Sequence, residues 1–457
     1  MKTDFKPLFA PKTMAVVGVS LTNSSHPANV IFNKLSLRYP VRVYPVNPRG
    51  GRILKDTVYR SLAEVPQRID HVVIAARARH VPSIIQECIA CRAGSATVIS
   101  GGFAESGRQD LQDRITAMAR EAGFPFIGPN CLGIYVPDRF DTFFLPGERL
   151  VRPVKGNVAL VSQSGGVLVD QIVKFVGQGI GLSLAVSIGN KALIRETHLL
   201  RYLARDPATE VIAFYIEGFG PGEGRTFVEL ARKCPKPVVV LKAGKSSRGK
   251  RAVSSHTASL AGDYAVFSQV LAQHGIVEAR NEYEMISFCE SLSCYKQAIE
   301  GQVGIITVSG GHGVLAVDAC DAHSLKVPPL DEATRELIRR KLSPSIREIA
   351  ALGNPVDLTG SARDDDFIAA ANGLVGSSDI DSVLLSLLPY SPGISSDLGA
   401  RLSHVNRDRD IPMVAYVPHV EKYRILIEGF ELNRVPVSNS IEGAVLMLEA
   451  LRRCQPC

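Results

Sequence analysis

Short runs of β-branched and other apolar residues alternate with helix-like segments, and this alternation restricts the fold more than any other feature of the chain. In the first third, helical patterns near 30–37, 81–93 and 108–122 separate four strand-like runs. These runs are Met14–Val19, Val41–Val46, Val72–Ala75 and Ala96–Ile99. Strands that alternate with helices pair in parallel, because the crossover helix returns the chain to the same end of the sheet. The pattern therefore predicts an α/β fold with parallel sheets.

Two further blocks of the same kind follow, and the chain is long enough to hold them as separate domains. Its 457 residues exceed what one compact core supports. An irregular stretch at 136–153, rich in proline, phenylalanine and charge, ends the first block. Strand-like runs continue at Val158–Val161, Leu182–Val186, Val211–Tyr215, Val238–Leu241, Val303–Val308, Val383–Leu388 and Met413–Val417. We therefore expect three domains, over residues 1–140, 150–298 and 299–457.

The composition disfavours several classes of protein. A net charge of +7 is modest for this length, tryptophan is absent, and no basic stripe is interleaved with aromatic residues, so a nucleic-acid partner is not expected. An anionic small molecule explains the charge better. We find no signal peptide and no apolar run that would span a bilayer, so we expect no membrane association and a cytoplasmic location.

The nine cysteines are scattered along the chain, which is typical of reduced thiols in a large protein. Two pairs have the two-residue separation of some zinc ligands, Cys88 with Cys91 and Cys454 with Cys457. The first pair falls in a helix-like segment and the second ends the chain, so we predict no metal site.

A basic segment with a single histidine follows the strand-like run Val238–Leu241. Lys242–Arg251 carries five cationic side chains, and His256 comes next among serines and glycines. We expect a loop at the carboxyl end of the strand, where open α/β sheets place their chemistry. An imidazole among cations suits the transfer of a phosphoryl group. The alternative is a solvated basic loop with an incidental histidine.

The second and third blocks begin alike. Val158–Asp170 and Val303–Asp318 each contain a strand, a Ser-Gly-Gly turn and an apolar helix start. First-turn N–H groups lack intrahelical partners and the helix dipole favours an anion, so each turn is a candidate phosphate site. Alternatively, the glycines only let strand and helix pack closely. Two such turns together with a basic histidine segment favour a shared phosphate.

The first domain resembles nucleotide-binding folds but lacks two of their features. Val16–Ser20 follows a strand, yet the three-glycine dinucleotide fingerprint is missing. Tyr44–Gly51 stands where an acidic residue would bind a ribose, so a nicotinamide cofactor and a dehydrogenase activity are disfavoured. Asn47 and Arg49 in that segment suit a ligand with an extra phosphate, as in coenzyme A.

Eight segments together carry a resemblance to one family. They are Val16–Ser20, Pro45–Gly51, Gly128–Gly133, Ser162–Gly166, Ser187–Lys191, Tyr215–Gly218, Ser255–Thr257 with Leu260–Gly262, and Asn354–Leu358. In this order they span nearly the whole chain. The chain resembles the α subunit of the NDP-forming acyl-CoA synthetases, also called ADP-forming acetyl-CoA synthetases, of the succinyl-CoA synthetase superfamily. The resemblance implies an N-terminal Rossmann-like CoA-binding domain and two flavodoxin-like ligase domains with parallel sheets.

The resemblance also implies a reaction. Phosphate attacks an acyl-CoA to give acyl phosphate and coenzyme A, and His256 then takes the phosphoryl group and passes it to a nucleoside diphosphate. Neutral imidazole suits this role because it attacks phosphorus without prior deprotonation. Glu217 matches the acidic partner of the phosphohistidine. A CoA-sensing regulatory or scaffold protein without turnover is the alternative, and the presence of His256 and Glu217 argues against it.

The resemblance implies two sets of binding residues. Coenzyme A is expected at Gly18, Ser20, Asn23, Arg49, Ser100, Gly101, Gly102 and Asn130. Phosphate is expected at Ser162, Ser164, Gly165, Gly166, Asn190, Gly310, Gly311 and Gly313. Two positions depart from the family pattern. Val169 replaces an aromatic residue of the succinyl-CoA synthetases, which disfavours succinate. At the second Ser-Gly-Gly turn, His312 stands where the family usually has a small residue or proline, and it either touches substrate or faces solvent.

Transfer to a nucleotide in this family needs an ATP-grasp domain, for which we find no segment in the chain. We therefore expect a separate ATP-grasp β subunit that binds ADP or ATP and Mg²⁺, and hence a hetero-oligomer. The substrates would be phosphate with a small carboxylic acid or its acyl-CoA. The Gly, Ser and charge content of Lys242–Ser259 is consistent with a segment that moves between two sites.

Overall fold

The computed structural model of the protein describes residues 4–256, 263–405, 411–418 and 421–454, with side chains for all of them except 254–256. The chain divides into two compact units, Met1–Glu278 and Ala279–Pro456. None of the helices in the described ranges combines the length and the apolar composition that a bilayer span requires.

The first unit begins with a five-stranded parallel sheet in the order β2-β1-β5-β6-β7. Its strands, with the small hairpin of β3 and β4, are β1 (Thr13–Val17), β2 (Arg42–Val46), β3 (Gly51–Ile53), β4 (Asp56–Val58), β5 (His71–Ile74), β6 (Ser95–Val98) and β7 (Phe126–Ile127). The helices are α1 (Lys6–Phe9), α2 (Pro27–Arg38), α3 (Val81–Ala90) and α4 (Gln109–Glu121). The four strands predicted from alternation are confirmed, because buried parallel strands require the β-branched runs that identified them.

A second sheet of seven strands completes the first unit, in the order β14-β13-β12-β10-β11-β8-β9. The strands are β8 (Ile134–Val136), β9 (Phe140–Asp141), β10 (Lys155–Ser162), β11 (Leu182–Ser187), β12 (Val211–Ile216), β13 (Val238–Lys242) and β14 (Val277–Ala279). The helices are α5 (Gly165–Gly177), α6 (Glu196–Leu203), α7 (Glu223–Ala231), α8 (Ser247–His256) and α9 (Tyr264–Gln273). One apolar cluster extends through both sheets, and Phe9 of α1 stacks on Tyr202 of α6 with ring centroids 4.8 Å apart.

Part of the stretch that the sequence showed as irregular is ordered into the second sheet. Strand β8 pairs antiparallel with β11, and β9 with β8. Asp141 at the end of β9 is fully buried and pairs with Lys34 at 2.9 Å and Arg152 at 2.7 Å, which ties this edge to α2. Strand β8 and Phe140 of β9 thus lie in the second sheet although they fall within the range 1–140 assigned to the first domain. The three domain boundaries stay predictions.

The basic segment after β13 differs from its expectation, because residues Ser247–His256 form helix α8 rather than a loop. Ser246 begins the helix, since its Oγ accepts a hydrogen bond from Gly249 N at 3.0 Å and its carbonyl accepts one from Lys250 N at 2.8 Å. Lysine, arginine and alanine in this segment favour a helix. The rest of the expected loop, residues 257–262, and the side chain of His256 lie outside the described part of the chain.

The second unit contains a six-stranded sheet in the order β16-β17-β15-β18-β19-β20, parallel except for β16 with β17. The strands are β15 (Val303–Thr307), β16 (Ala351–Leu352), β17 (Val356–Asp357), β18 (Ser382–Ser386), β19 (Met413–Tyr416) and β20 (Val437–Ser438). The helices are α10 (Glu282–Cys294), α11 (Gly310–Ala322), α12 (Glu332–Lys341), α13 (Pro344–Arg347), α14 (Asp364–Val375), α15 (Leu398–Val405), α16 (Arg424–Glu431) and α17 (Ile441–Arg453). The three strands predicted for this block are confirmed as β15, β18 and β19.

A histidine lies fully buried inside the first sheet. On β5, His71 is 0% exposed, with Nδ1 2.8 Å from Ser95 Oγ and Nε2 2.9 Å from Thr97 Oγ1 on the neighbouring strand. Burial lowers the pKa of His71 to about 3, although the nearby Asp70 acts in the opposite direction. The imidazole is therefore neutral in the folded protein throughout the ordinary pH range.

This burial predicts a loss of stability in mild acid. Between pH 6.5 and 3 the unfolded chain protonates His71 while the folded chain does not, so the free energy of unfolding falls as pH drops, by up to about 1.4 kcal/mol per pH unit. In His71→Gln, which does not titrate, the apparent melting temperature should depend less on pH between 7 and 5. His274→Gln, at an exposed site of the same unit, should keep the parent dependence. An unchanged pH dependence in His71→Gln would contradict this explanation.

Candidate active site

The first Ser-Gly-Gly turn (Ser164–Gly166) joins β10 to α5 and forms one wall of a cavity of about 390 Å³. Ser164 begins α5, because its Oγ accepts a hydrogen bond from Val167 N at 3.3 Å. Asn130 and Asn190 line the same cavity. Ser162 is fully buried and its Oγ donates to the carbonyl of Ser164 at 2.6 Å, so it shapes the turn. The structure thus brings the phosphate residues predicted around the first Ser-Gly-Gly turn next to Asn130, which was predicted to bind coenzyme A.

The loops that follow β1 and β2 lie together at the carboxyl edge of the first sheet. Asn47 Nδ2 donates to the carbonyl of Val19 at 2.7 Å, and Asn47 Oδ1 accepts from Arg49 N at 2.9 Å. A Cβ atom on Gly18 would lie 2.3 Å from the carbonyl oxygen of Ala75, and its φ is +106°, so only glycine fits there. The expected coenzyme A residues Gly18, Ser20, Asn23 and Arg49 all lie in these two loops, with Asn23 and Arg49 exposed.

The loop after β6 carries the other expected coenzyme A residues, Ser100, Gly101 and Gly102. Ser100 Oγ donates to the carbonyl of Ala76 at 2.6 Å, and the Ser100 carbonyl accepts from Asn130 N at 2.9 Å. The hydroxyl of Ser100 is therefore used to hold the loops after β5 and β6 together. A Cβ on Gly101 would lie 3.3 Å from Asn130 Oδ1, so Gly101 lies directly beside Asn130.

Glu217, the predicted partner of His256, follows β12 and is 6% exposed. The amide of Gln163 holds the backbone at this point: its Oε1 accepts from Glu217 N at 2.6 Å and from Gly218 N at 3.1 Å. Its Nε2 donates to the carbonyl of Gly218 at 2.8 Å. A side chain from the end of β10 thus continues the pairing with β12 beyond the strand. Gln163 was not predicted as part of the site, although it lies within the matched segment Ser162–Gly166.

A buried ion pair supports the same backbone. Lys191 Nζ lies 2.8 Å from Glu196 Oε1, with side chains 9% and 1% exposed, and it also donates to the carbonyl of Gly218 at 2.5 Å. The ammonium lies 5.5 Å from the centroid of the Phe219 ring. Neither Lys191 nor Glu196 was predicted as part of the site. Lys191 lies within the matched segment Ser187–Lys191, which was the one sequence signal for it.

Lys242 does not have the role expected of the basic segment. It is 5% exposed, and its ammonium donates to the carbonyl of Glu217 at 2.7 Å and to that of Ala243. Burial lowers the pKa of Lys242 to about 8, although Glu217 acts to raise it. The ammonium that the sequence suggested for a phosphate therefore holds the end of β12. Lys245 lies 5.3 Å above the centroid of the Tyr264 ring.

The second Ser-Gly-Gly turn (Ser309–Gly311) begins α11 in the second unit and borders a cavity of about 280 Å³. A Cβ on Gly310 would lie 3.2 Å from Asp357 Oδ2, so a carboxylate that the sequence analysis missed lies beside this helix N-terminus. His312 is half-buried, with Nδ1 3.0 Å from Ser309 Oγ and its ring stacked on Tyr416 at 5.9 Å. Of the expected residues, Gly310 and Gly313 line the cavity, and Gly311 is exposed.

In the first of the two cysteine pairs, Cys88 and Cys91 are free thiols. Cys88 is buried, Cys91 and Cys454 are half-buried, and Cys457 lies outside the described residues. Burial raises the pKa of the Cys88 thiol, which disfavours its ionisation. Within the described ranges no three His, Cys, Asp or Glu side chains are grouped as metal ligands.

Comparison with known proteins identifies the family of the chain. Residues 12–137 match the family described as CoA binding domain, and residues 155–292 match the Succinyl-CoA ligase like flavodoxin domain. The chain is 34% identical over 457 residues to the Acetate–CoA ligase [ADP-forming] I subunit alpha of Pyrococcus furiosus, covering 97% of this chain and 96% of the relative. The chain belongs to the ADP-forming acyl-CoA ligase family.

Other family members differ in length. The Acetate–CoA ligase [ADP-forming] I of Archaeoglobus fulgidus is 37% identical over 387 residues, covering 84% of this chain but 54% of that protein, so the chain spans about half of its length. Among solved structures, the dinucleotide forming acetyl-coenzyme A synthetase 1 of Ca. Korarchaeum cryptofilum, in complex with phosphate and ADP, superposes with a TM-score of 0.88 at 28% identity. The match covers 98% of this chain and 96% of that one.

The buried pair of Lys191 and Glu196 predicts an asymmetric effect of mutation. Lys191→Met leaves a buried carboxylate without its cation and should lower the free energy of unfolding by about 3–5 kcal/mol in urea denaturation. Adding Glu196→Gln should recover part of the loss, because the unpaired charge is removed.

Arg225→Met is the matched control, since Arg225 and Glu229 form a pair with side chains 89% and 54% exposed. Its effect should stay below about 1 kcal/mol. Equal losses for Lys191→Met and Arg225→Met, or no recovery on adding Glu196→Gln, would rule out a buried-charge explanation.

Proposed function

We propose that this chain is the α subunit of an ADP-forming acyl-CoA ligase, an acid–thiol ligase that interconverts acyl-CoA, phosphate and ADP with carboxylic acid, coenzyme A and ATP. The observation that carries the proposal is the cavity at the N-terminus of α5, where the first Ser-Gly-Gly turn meets Asn130 and the loops of the CoA-binding domain. Family membership supports the same reaction.

The proposed reaction proceeds in three steps. A phosphate oxygen attacks the thioester carbonyl, the C–S bond breaks, and coenzyme A leaves as acyl phosphate forms. An imidazole nitrogen of His256 then attacks phosphorus, the P–O bond to the acyl group breaks, and the carboxylate leaves. Finally ADP takes the phosphoryl group from His256 to give ATP. The N–H groups at the start of α5 would offset negative charge on the phosphate in the first two steps.

Glu217 and His256 are the residues proposed to carry the phosphoryl transfer. A carboxylate that accepts a hydrogen bond from one ring nitrogen fixes the tautomer and leaves the other nitrogen free to attack. Gln163 and Lys242 hold the Glu217 backbone from both sides, which supports a fixed position for its carboxylate. Coenzyme A would be bound by the loops after β1, β2 and β6.

The walls of the cavity at α5 favour an acyl group without a second charge. Its apolar lining includes Leu132, Phe144, Leu145 and Val169, and no lysine, arginine or histidine is among the described lining residues. A second carboxylate, as in a succinyl group, would have no cationic partner there. We therefore propose a small monocarboxylic acid as substrate, in agreement with the acetate named for the Pyrococcus relative.

The phosphohistidine can be tested directly. Incubated with acetyl-CoA and radiolabelled phosphate, the chain should acquire an acid-labile label, which His256→Ala should abolish. Glu217→Gln should slow labelling by about 10–100-fold, the loss expected for one charge-assisted hydrogen bond. His274→Ala, a change at an exposed site, should label like the parent. Undiminished label in His256→Ala would overturn the mechanism, and no label on the parent would favour a non-catalytic role.

We further propose that a separate ATP-grasp β subunit binds the nucleotide and Mg²⁺ and completes a hetero-oligomer. Two facts support this: the Pyrococcus relative is named as an alpha subunit, and the Archaeoglobus relative is about twice as long as the matching part. The chain purified alone should become labelled yet form no ATP from acetyl-CoA, phosphate and ADP, whereas the complex purified from the native source should form ATP. ATP formation by the chain alone would contradict the proposal.

A further inference from the structure

Asn190 was expected to bind phosphate, but its side-chain donors are already engaged. Its Nδ2 donates to Glu105 Oε2 at 2.5 Å and to Gln112 Oε1 at 2.9 Å. Its Oδ1 accepts from Asn130 Nδ2 at 3.3 Å. A primary amide has two N–H donors, so a phosphate could bind Nδ2 only if one of these bonds broke. The geometry therefore assigns Asn190 a different task from the one expected.

Glu105, which accepts a hydrogen bond from Asn190, also holds the loop after β6. Its Oε1 accepts from Gly102 N at 2.6 Å and from Phe103 N at 3.1 Å. Burial alone would raise the pKa of Glu105, but the hydrogen bonds from Asn190, Gly102 and Phe103 outweigh this effect and hold the pKa below its usual value. An ionised carboxylate accepts hydrogen bonds only, so it also fixes which end of the Asn190 amide faces it.

These bonds close a ring beside the cavity at α5, which Asn130 and Asn190 line. From the loop after β6 the ring runs through Glu105 to Asn190, on to Asn130, and back to the carbonyl of Ser100. Asn190 borders both the 390 Å³ cavity and a second cavity of about 800 Å³ that Glu105 and Gln112 line. The pair of Glu105 and Asn190 thus connects the segment expected to bind coenzyme A with the segment that faces the helix N-terminus.

We propose that Glu105 and Asn190 are paired positioning residues, which hold the loop after β6 and Asn130 in register with the first Ser-Gly-Gly turn. This proposal rests on the proposed function. Neither residue contacts the reacting atoms. Their bond sets the distance between the thioester end of coenzyme A and the phosphate, which must meet within contact distance for the first step to occur.

Exchanging the donor and the acceptor of the hydrogen bond between Asn190 and Glu105 tests the proposal. In Glu105→Gln a donor faces the Asn190 donor or the Gly102 and Phe103 donors, and in Asn190→Asp two carboxylates face each other. Each single variant should lower the second-order rate constant for labelling by acetyl-CoA and phosphate by about tenfold or more, as expected for loss of a charge-assisted hydrogen bond. In the double variant the new glutamine can donate to the new aspartate and still accept from Gly102 and Phe103. Its activity should return to within about threefold of the parent.

The double variant separates this proposal from direct phosphate binding. If Asn190 binds phosphate, the new aspartate repels it whether or not Glu105→Gln is present, and no rescue occurs; that result would overturn the proposal. Parent-like activity in both single variants would also overturn it. Glu121→Gln, an exposed acid on α4, is the control for loss of one negative charge and should behave like the parent.

Coenzyme A affinity measured by calorimetry gives a second readout that does not depend on turnover. The double variant should bind coenzyme A more tightly than Glu105→Gln, and this comparison holds even if Asn190→Asp alone does not fold. Equal or weaker binding by the double variant would contradict the proposal. If the parent binds coenzyme A but never becomes labelled, the proposed function fails while the affinity comparison still tests the pair.

Discussion

The close approach of two loops in the first unit is the constraint on which the candidate site depends. A Cβ on Gly189 would lie 2.2 Å from the carbonyl oxygen of Asn130 and 2.4 Å from that of Pro129, so only glycine permits this contact. Asn190 N and Ala192 N then donate to the carbonyls of Pro129 and Gly128, at 2.9 and 3.0 Å. These backbone bonds join the edge of the first sheet to the end of β11, and they place the side chain of Asn190 within reach of Asn130 and Glu105.

Three buried lysine side chains of the first unit hold backbone segments in place. Lys242 donates to the carbonyl of Glu217 and Lys191 to that of Gly218. Lys34 donates to the carbonyl of Phe143 while paired with Asp141. Ammonium groups used in this way are costly to bury and are compensated by several hydrogen bonds each. A phosphate at the first turn would then depend on helix N–H groups, which are fixed in position and carry no titratable proton.

The alternation of apolar runs was sufficient to predict the central strands, because buried parallel strands need such runs over four or more residues. It did not reveal β8, β9 or β16, because strands of two or three residues are too short to show a pattern of apolar residues. The Ser-Gly-Gly turns were predictable from local sequence. Their supporting partners were not: Glu105 lies 85 residues from Asn190, and Gln163 lies 55 from Gly218, so only the folded chain shows that they meet.

The two Ser-Gly-Gly turns are nearly identical in sequence, yet their electrostatic surroundings differ. No acidic side chain is among the described residues that line the cavity at Ser164, whereas Asp357 places a carboxylate beside Gly310. A dianion would therefore meet no carboxylate among the described residues at the first turn, whereas Asp357 would oppose it at the second. The same short motif thus stands in two different electrostatic environments, and sequence similarity between the turns does not imply equal affinity for an anion.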